Sequence, residues 1–118
     1  MIKVCWHPYI VPLDSDRLIS PSAGKPIQVV QDWAEHNLPI EIVESGKASV
    51  FELCYAHNRR FVKGIVNGTI PNGFGTVGNT VAESCRYGVG SMIRAADLML
   101  AGEKVVCSPT SGFHHAGW

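Results

Sequence analysis

The chain has 118 residues and a mass of 12.8 kDa, the size of one domain with a core of its own, so residues 1–118 are expected to form a single domain. Apolar residues make up 46% and charged residues 17%, which excludes a disordered tail. Ten Lys and Arg balance ten Asp and Glu. With no basic excess, the chain has no electrostatic footprint for nucleic acid or for an anionic membrane, and a fold needing several hundred residues cannot be complete within this length.

The four cysteines, Cys5, Cys54, Cys85 and Cys107, lie far apart in apolar runs, with no C-x-x-C and no finger-like pairing with histidine. That spacing predicts reduced, core-packed thiols and a cytoplasmic protein. No apolar run approaches the roughly 18 residues of a membrane span. The first residues, Met1-Ile2-Lys3-Val4-Cys5-Trp6-His7, lack the apolar stretch of a signal peptide.

In chain order, residues 2–6 alternate around Lys3 and read as strand one. Residues 7–25 carry Pro8, Pro12, Pro21 and Gly24 and read as a long connection. Pro26 suits the first turn of a helix whose Ile27, Val30, Trp33 and Ala34 share a face, ended by Asn37 and Pro39. Ile40, Ile42 and Val43 form strand two, and Gly46 turns the chain. Ser49 with Glu52 three residues on is a capping box, and Phe51 and Cys54 form an apolar stripe behind it. Phe61, Val62 and Ile65 predict a second helical piece after a break near Asn58. Residues 66–78 hold Gly68, Gly73, Gly75 and Gly78 and require a loop with unusual backbone angles.

The clearest helix follows. Thr80 and Glu83 form another capping box, and Val81, Cys85, Val89, Met92, Ala96 and Met99 make its apolar stripe. Gly88 and Gly90 inside it predict close packing or a bend, and Gly102 a left-handed cap. Residues 104–107 are strand three, and 108–118 a Gly-rich tail with two histidines.

Strands separated by helices predict an α/β fold, three layers α/β/α, around a short parallel sheet of about three strands in the order 2-1-3. In such sheets ligands bind beyond the carboxyl ends of the strands, where the winding direction reverses. Three segments leave those ends, at His7, Glu44 and Ser108. The last leads to Ser111-Gly112-Phe113-His114-His115-Ala116-Gly117. Histidine near its ordinary pKa moves protons at neutral pH, so His114 and His115 are candidate acid–base groups. The flanking glycines would let a substrate approach the backbone.

Other motifs are weaker. His7 could face the same mouth or cap a strand. His57, beside Asn58, reads as locally hydrogen-bonded. Asp14 and Asp16 lack the glycine and terminal glutamate of a calcium loop, and residues 73–78 spell G-x-G-x-x-G without a feeding strand, so neither motif is adopted.

The stretch Ala101-Gly102-Glu103-Lys104-Val105-Val106-Cys107-Ser108-Pro109-Thr110-Ser111-Gly112-Phe113-His114-His115-Ala116 resembles the strand and loop of the histone deacetylase and acetylpolyamine amidohydrolase family, which carries a Gly-rich turn and His-His-Ala after its third core strand. Leu53-Cys54-Tyr55-Ala56-His57-Asn58-Arg59-Arg60-Phe61-Val62 is similar to another stretch of that family, with Asn58 for its usual Asp and Phe61 for its usual Tyr. The Gly-rich loop and long helix fall between them in the right order.

The resemblance implies the N-terminal part of an arginase-like fold. It also implies zinc-dependent hydrolysis of an acetylated amine or amide, the substrate being an acetylated small molecule or acetyl-lysine. His115 corresponds to the general base and acid and His114 to its electrostatic partner. Asn72, Gly73 and Phe74 correspond to one rim of the substrate channel, and Gly112 and Phe113 to substrate-contacting residues beside the histidines. The family's zinc ligands, an Asp-x-His pair and a further Asp, lie on later strands with its transition-state Tyr. No Asp-x-His occurs in these residues. The chain alone is therefore expected to hold no zinc tightly and to be an inactive hydrolase, completed by another polypeptide. The alternative is a non-catalytic binding or assembly module of the same fold. A third reading, metal storage through His114 and His115, lacks further ligands. Strand three, with Val105 and Val106, would have an open edge, which predicts self-association or pairing with a complementary C-terminal chain.

Overall fold

The computed structural model describes residues 1–13, 21–73 and 76–111. Its centre is a parallel sheet of three strands, β1 (Ile2–Trp6), β2 (Ile40–Glu44) and β3 (Val106–Cys107), in the order β2-β1-β3. The order and direction are those expected from the pattern of strands and helices. Val4 and Cys5, neighbours pointing to opposite faces, are both fully buried. Burial on both faces is the signature of a central parallel strand. β1 pairs with β2 over five positions, from Ile2 opposite Ile40 to Trp6 opposite Glu44.

β3 is shorter than the expected 104–107 and pairs only through Lys3 with Val106 and Val4 with Cys107. The preceding helix ends at Leu100, and residues 103–105 join its cap to the strand without backbone pairing to β1. Gly102 takes a positive φ of 112°. There the amides of Gly102 and Glu103 donate back to Met99 and Leu98 carbonyls, closing the helix as a left-handed glycine cap does. Lys3 then pairs with Glu103 at 2.6 Å.

α1 (Lys25–Glu35) has Pro26 in its first turn, where the missing N–H leaves no bond unmade. Asn37, at φ 50°, ends it, with the Asn37 and Leu38 amides donating to Ala34 and Trp33 carbonyls. Of the expected apolar face, Val30 and Trp33 pack on the cluster of Val4, Trp6 and Ile10. Ile27 and Ala34 are exposed, because a three-stranded sheet covers only part of that face.

α2 (Val50–Leu53) keeps its capping box: the Glu52 amide donates to Ser49 Oγ at 3.0 Å and the Ser49 amide to the Glu52 carboxylate at 2.7 Å. The apolar stripe expected behind it does not form a core, since Phe51 is exposed and Cys54 only half-buried. A single helical turn has no second turn to carry such a stripe inward. α3 (Arg59–Val66) starts where expected, with Asn58 Oδ1 accepting from the Arg60 and Phe61 amides.

α4 (Thr80–Leu100) corrects two expectations. Its N-cap position is Asn79, without a side-chain cap bond, and Glu83 turns outward to Lys47 and Arg86 instead of back to a capping box. Its buried face is also different. Ser84, Ser91 and Leu98 are buried, with Gly88 and Ala95 between them, a row at helical spacing that lets the helix backbone approach the sheet closely. Of the expected stripe, Val81 and Cys85 pack with Ala23, whereas Val89, Met92, Ala96 and Met99 are exposed. Gly90 is the close contact that its position predicts: a Cβ there would overlap the Gly46 carbonyl. Among the described residues no helix is long and apolar enough to cross a membrane.

Candidate functional site

The carboxyl ends of the strands form the mouth at which the three connecting segments meet. On the β1 side, Pro8–Ile10 is a short 3-10 turn capped by His7. His7 Nδ1 accepts from the Tyr9 amide at 3.1 Å, so the neutral ring carries its proton on Nε2. The imidazole stacks on Tyr87 of α4, centroids 4.2 Å apart. Tyr9 meets both rings edge-on, at 4.9 and 5.4 Å.

On the β2 side, the Ser45 amide donates to the Trp6 carbonyl at 3.2 Å and carries the ladder one residue past the strand. Ser45 is buried, and its Oγ has no hydrogen-bond partner among the described residues. The next residues are fastened to α4 from several directions. The Ala48 amide donates to the Arg86 carbonyl at 2.9 Å, and Arg86 Nε donates to the Ala48 carbonyl at 2.9 Å. Lys47 and Arg86 each reach the Glu83 carboxylate at 2.9 Å, and Lys47, then Arg86, hold that carboxyl below its ordinary range. An open depression of about 420 Å³ lies here, lined by His7, Glu44, Ser45, Gly46, Lys47 and Tyr87. Its groups suit hydrogen bonding and orientation of a small polar molecule.

On the β3 side, Ser91 Oγ donates to the Gly88 carbonyl at 2.8 Å and also meets Ser108 Oγ. A hydroxyl has one proton, so Ser108 must be the donor of the second bond. Thr110 lies against Gly88, where a Cβ would be 3.8 Å from its methyl group. A second open depression, about 330 Å³, runs between α1 and the segment leaving β3, with Pro26, Val29, Trp33, Cys107 and Pro109 among its walls and Lys25 and Ser111 at its polar rim.

His114, His115, Gly112, Phe113 and Phe74 lie outside the described residues, as do Asp14 and Asp16. The described part of their segment ends at Ser111, which lines the second depression. Asn72 is buried, its Nδ2 donating to Thr76 Oγ1 at 2.8 Å while its amide donates to the Thr76 carbonyl at 2.9 Å. It thereby closes its own loop, with Gly73 exposed beside it. His57 Nδ1 is buried without a partner among the described residues.

Among the described residues no group of three or more His, Cys, Asp or Glu is placed to hold a metal ion. The four cysteines are free thiols. Burial pushes Cys85 up to about 11 and raises Cys5 and Cys107, so these three are poor thiolate nucleophiles at neutral pH.

Sequence reasoning missed Tyr87, Ser45 and Ser91. Tyr87 lies eighty residues from the His7 ring it covers, and no local pattern reports such a contact. Ser91 had a usable signal in the row Ser84, Gly88, Ser91, Ala95, Leu98, but the larger apolar residues beside it dominated the periodicity. Comparison with protein-family models, with curated proteins and with solved structures finds no match to this chain.

Proposed function

We propose that these residues are the N-terminal portion of a zinc-dependent, deacetylase-like amidohydrolase with an arginase-like α/β/α fold, and that His114 and His115 are its acid–base pair. The observation that carries this reading is positional. A parallel 2-1-3 sheet sends β3 directly into Ser108-Pro109-Thr110-Ser111 at the carboxyl mouth, and the Gly-Phe-His-His-Ala tract follows in the chain. Ligands of open α/β sheets bind at such mouths.

In this reading His115 takes a proton from the attacking water and returns it to the leaving amine, while His114 stabilises the charge that develops on the substrate. Asn72 and Gly73 belong to the loop proposed as one rim of the channel, and Gly112 and Phe113 to the wall beside the histidines. The substrate is an acetylated small molecule or acetyl-lysine, and the family's zinc ligands come from strands later than β3. The protein is proposed to act in the cytoplasm.

The first test is to read the source gene past the codon for Trp118. The proposal expects Asp-x-His, a second Asp and a Tyr, encoded in the same frame or in an adjacent one. A stop codon with no such neighbour would overturn it and leave the non-catalytic module.

A further inference from the structure

We infer that the depression at the ends of β1 and β2 is a binding site for a small zwitterion, a molecule that carries a carboxylate and an ammonium group as a free α-amino acid does. This site is independent of the hydrolase reading: the proposed acid–base pair follows β3, whereas the depression lies on the β2 side of β1, against Tyr87 of α4. Its place, beyond the carboxyl ends of parallel strands, is where open α/β sheets take ligands. Its volume of about 420 Å³ falls within the ~300–1,000 Å³ of small-molecule sites.

Ser45 and His7 both line it with a hydrogen-bonding group left over. The Ser45 amide donates to the Trp6 carbonyl, which extends the register of Trp6 with Glu44 by one residue and sets Ser45 beside His7. Side chains in register share a face of the sheet, and His7 lies against Tyr87, so both stand on the α4 face. Ser45 is 1% exposed and its Oγ has no partner among the described residues. An unpaired buried hydroxyl destabilises a fold, so one that is kept needs a reason. The imidazole is held in place: Nδ1 accepts from the Tyr9 amide, one face stacks on Tyr87, and the Tyr9 ring meets it edge-on. The neutral ring's other nitrogen, Nε2, carries the proton and can only donate. It therefore cannot accept the Ser45 proton and make that hydroxyl a nucleophile. Together they offer N–H and O–H donors to a ligand's acceptor.

The charges around the depression select that ligand. Lys47 gives one N–H to Glu83, and the rest of its ammonium remains for a ligand. Glu44 lines the same depression, is exposed, and takes part in none of the ion pairs among the described residues. A phosphate or other dianion approaching His7 and Ser45 would meet the Glu44 charge. A simple cation on Glu44 would leave both donors unused. A carboxylate on His7, Ser45 and Lys47, with its own ammonium on Glu44, serves every group through charge-assisted bonds.

Titration of the purified protein with glycine, L-alanine and L-serine, followed by NMR at the His7 ring and the Ser45 and Gly46 amides, tests this. At least one of them should give saturable shifts. Acetate and methylamine, each with one of the charges, should bind at least about tenfold more weakly. Ser45→Ala should keep or raise the thermal stability, because it removes an unpaired hydroxyl, yet weaken binding by about fivefold to tenfold, the strength of one hydrogen bond. Glu44→Gln should weaken amino-acid binding by about tenfold and leave acetate binding unchanged or stronger. The inference is overturned if none of the three amino acids gives a saturable shift, or if acetate binds as tightly as they do. It is equally overturned if Ser45→Ala binds as the wild type does, or if that variant is less stable, which would make the hydroxyl a structural bond.

Discussion

The two flanks of β1 are built in different ways. On the β2 flank five residue pairs form the ladder, and the connection after the strand is pinned to α4 by backbone contact, by Arg86 and by the Lys47–Glu83 pair. On the β3 flank two pairs form the ladder, and the segment that follows is tied to α4 through the hydroxyls of Ser91 and Ser108. One flank is scaffold and the other is an edge. The proposed acid–base pair belongs to the segment issuing from the weaker flank, in keeping with the tendency of functional loops to depart from a rigid frame at its lightly held side.

Breaking the strong flank should have the largest effect. Gly90→Ala would drive its Cβ into the Gly46 carbonyl and within 3.0 Å of the Ala48 amide nitrogen. Neither is the flexible end of a side chain, so the loop and helix must separate. A loss of about 3 kcal/mol is expected in urea unfolding, at the upper end for overpacking. A loss below about 1 kcal/mol would show that the close approach of α4 to this loop is not needed.

On the weak flank, Ser91→Ala removes one hydroxyl from the Ser108–Ser91–Gly88 chain. The expected cost is about 1 kcal/mol, with amide exchange quickening first at Ser108, Thr110 and Ser111. Ser108→Ala should cost a similar amount, and the double variant little more than either alone, because both remove the same bond. Additive losses would mean that the two hydroxyls act separately.

The ion pairs should contribute least. Lys47 and Glu83 are both partly exposed, so Glu83→Gln is expected to cost less than about 1 kcal/mol at neutral pH and less still in high salt. The sign of its pH dependence follows from the lowered carboxyl. The folded state binds the Glu83 proton less readily than the unfolded state, so the contribution is complete above the ordinary glutamate value of 4.5 and is lost as pH falls through the lower folded one. Wild type and Glu83→Gln should therefore converge in stability in acid. A difference that persists at the lowest pH would rule out the pair as its cause.

Much of this contrast was legible in the residues. Strand one was marked by alternation, the end of α1 by Asn37 and Pro39, the start of α3 by Asn58, and the close contact of α4 by Gly90, each through a local rule. The buried face of α4 was not. Burial there is decided by how near the helix backbone can come to a narrow sheet, so the small residues Ser84, Gly88 and Ser91 face inward while Met92 and Met99 do not. The capping box at Thr80 likewise failed because Glu83 finds Lys47, thirty-six residues earlier in the chain. The mouth of the sheet was legible as a place, from strand order alone. Its aromatic stack was not, since His7 and Tyr87 meet only in three dimensions.

The central claim is that this chain contributes the acid–base pair of an amide hydrolase. The most direct measurement is acetate release from acetylated lysine peptides and acetylated polyamines by the zinc-loaded product of the complete reading frame, compared with its His115→Ala variant. The account predicts hydrolysis in the wild type and a loss of about 10²- to 10⁴-fold in the variant at unchanged stability. No hydrolysis by the wild type, or hydrolysis that survives His115→Ala, would contradict it.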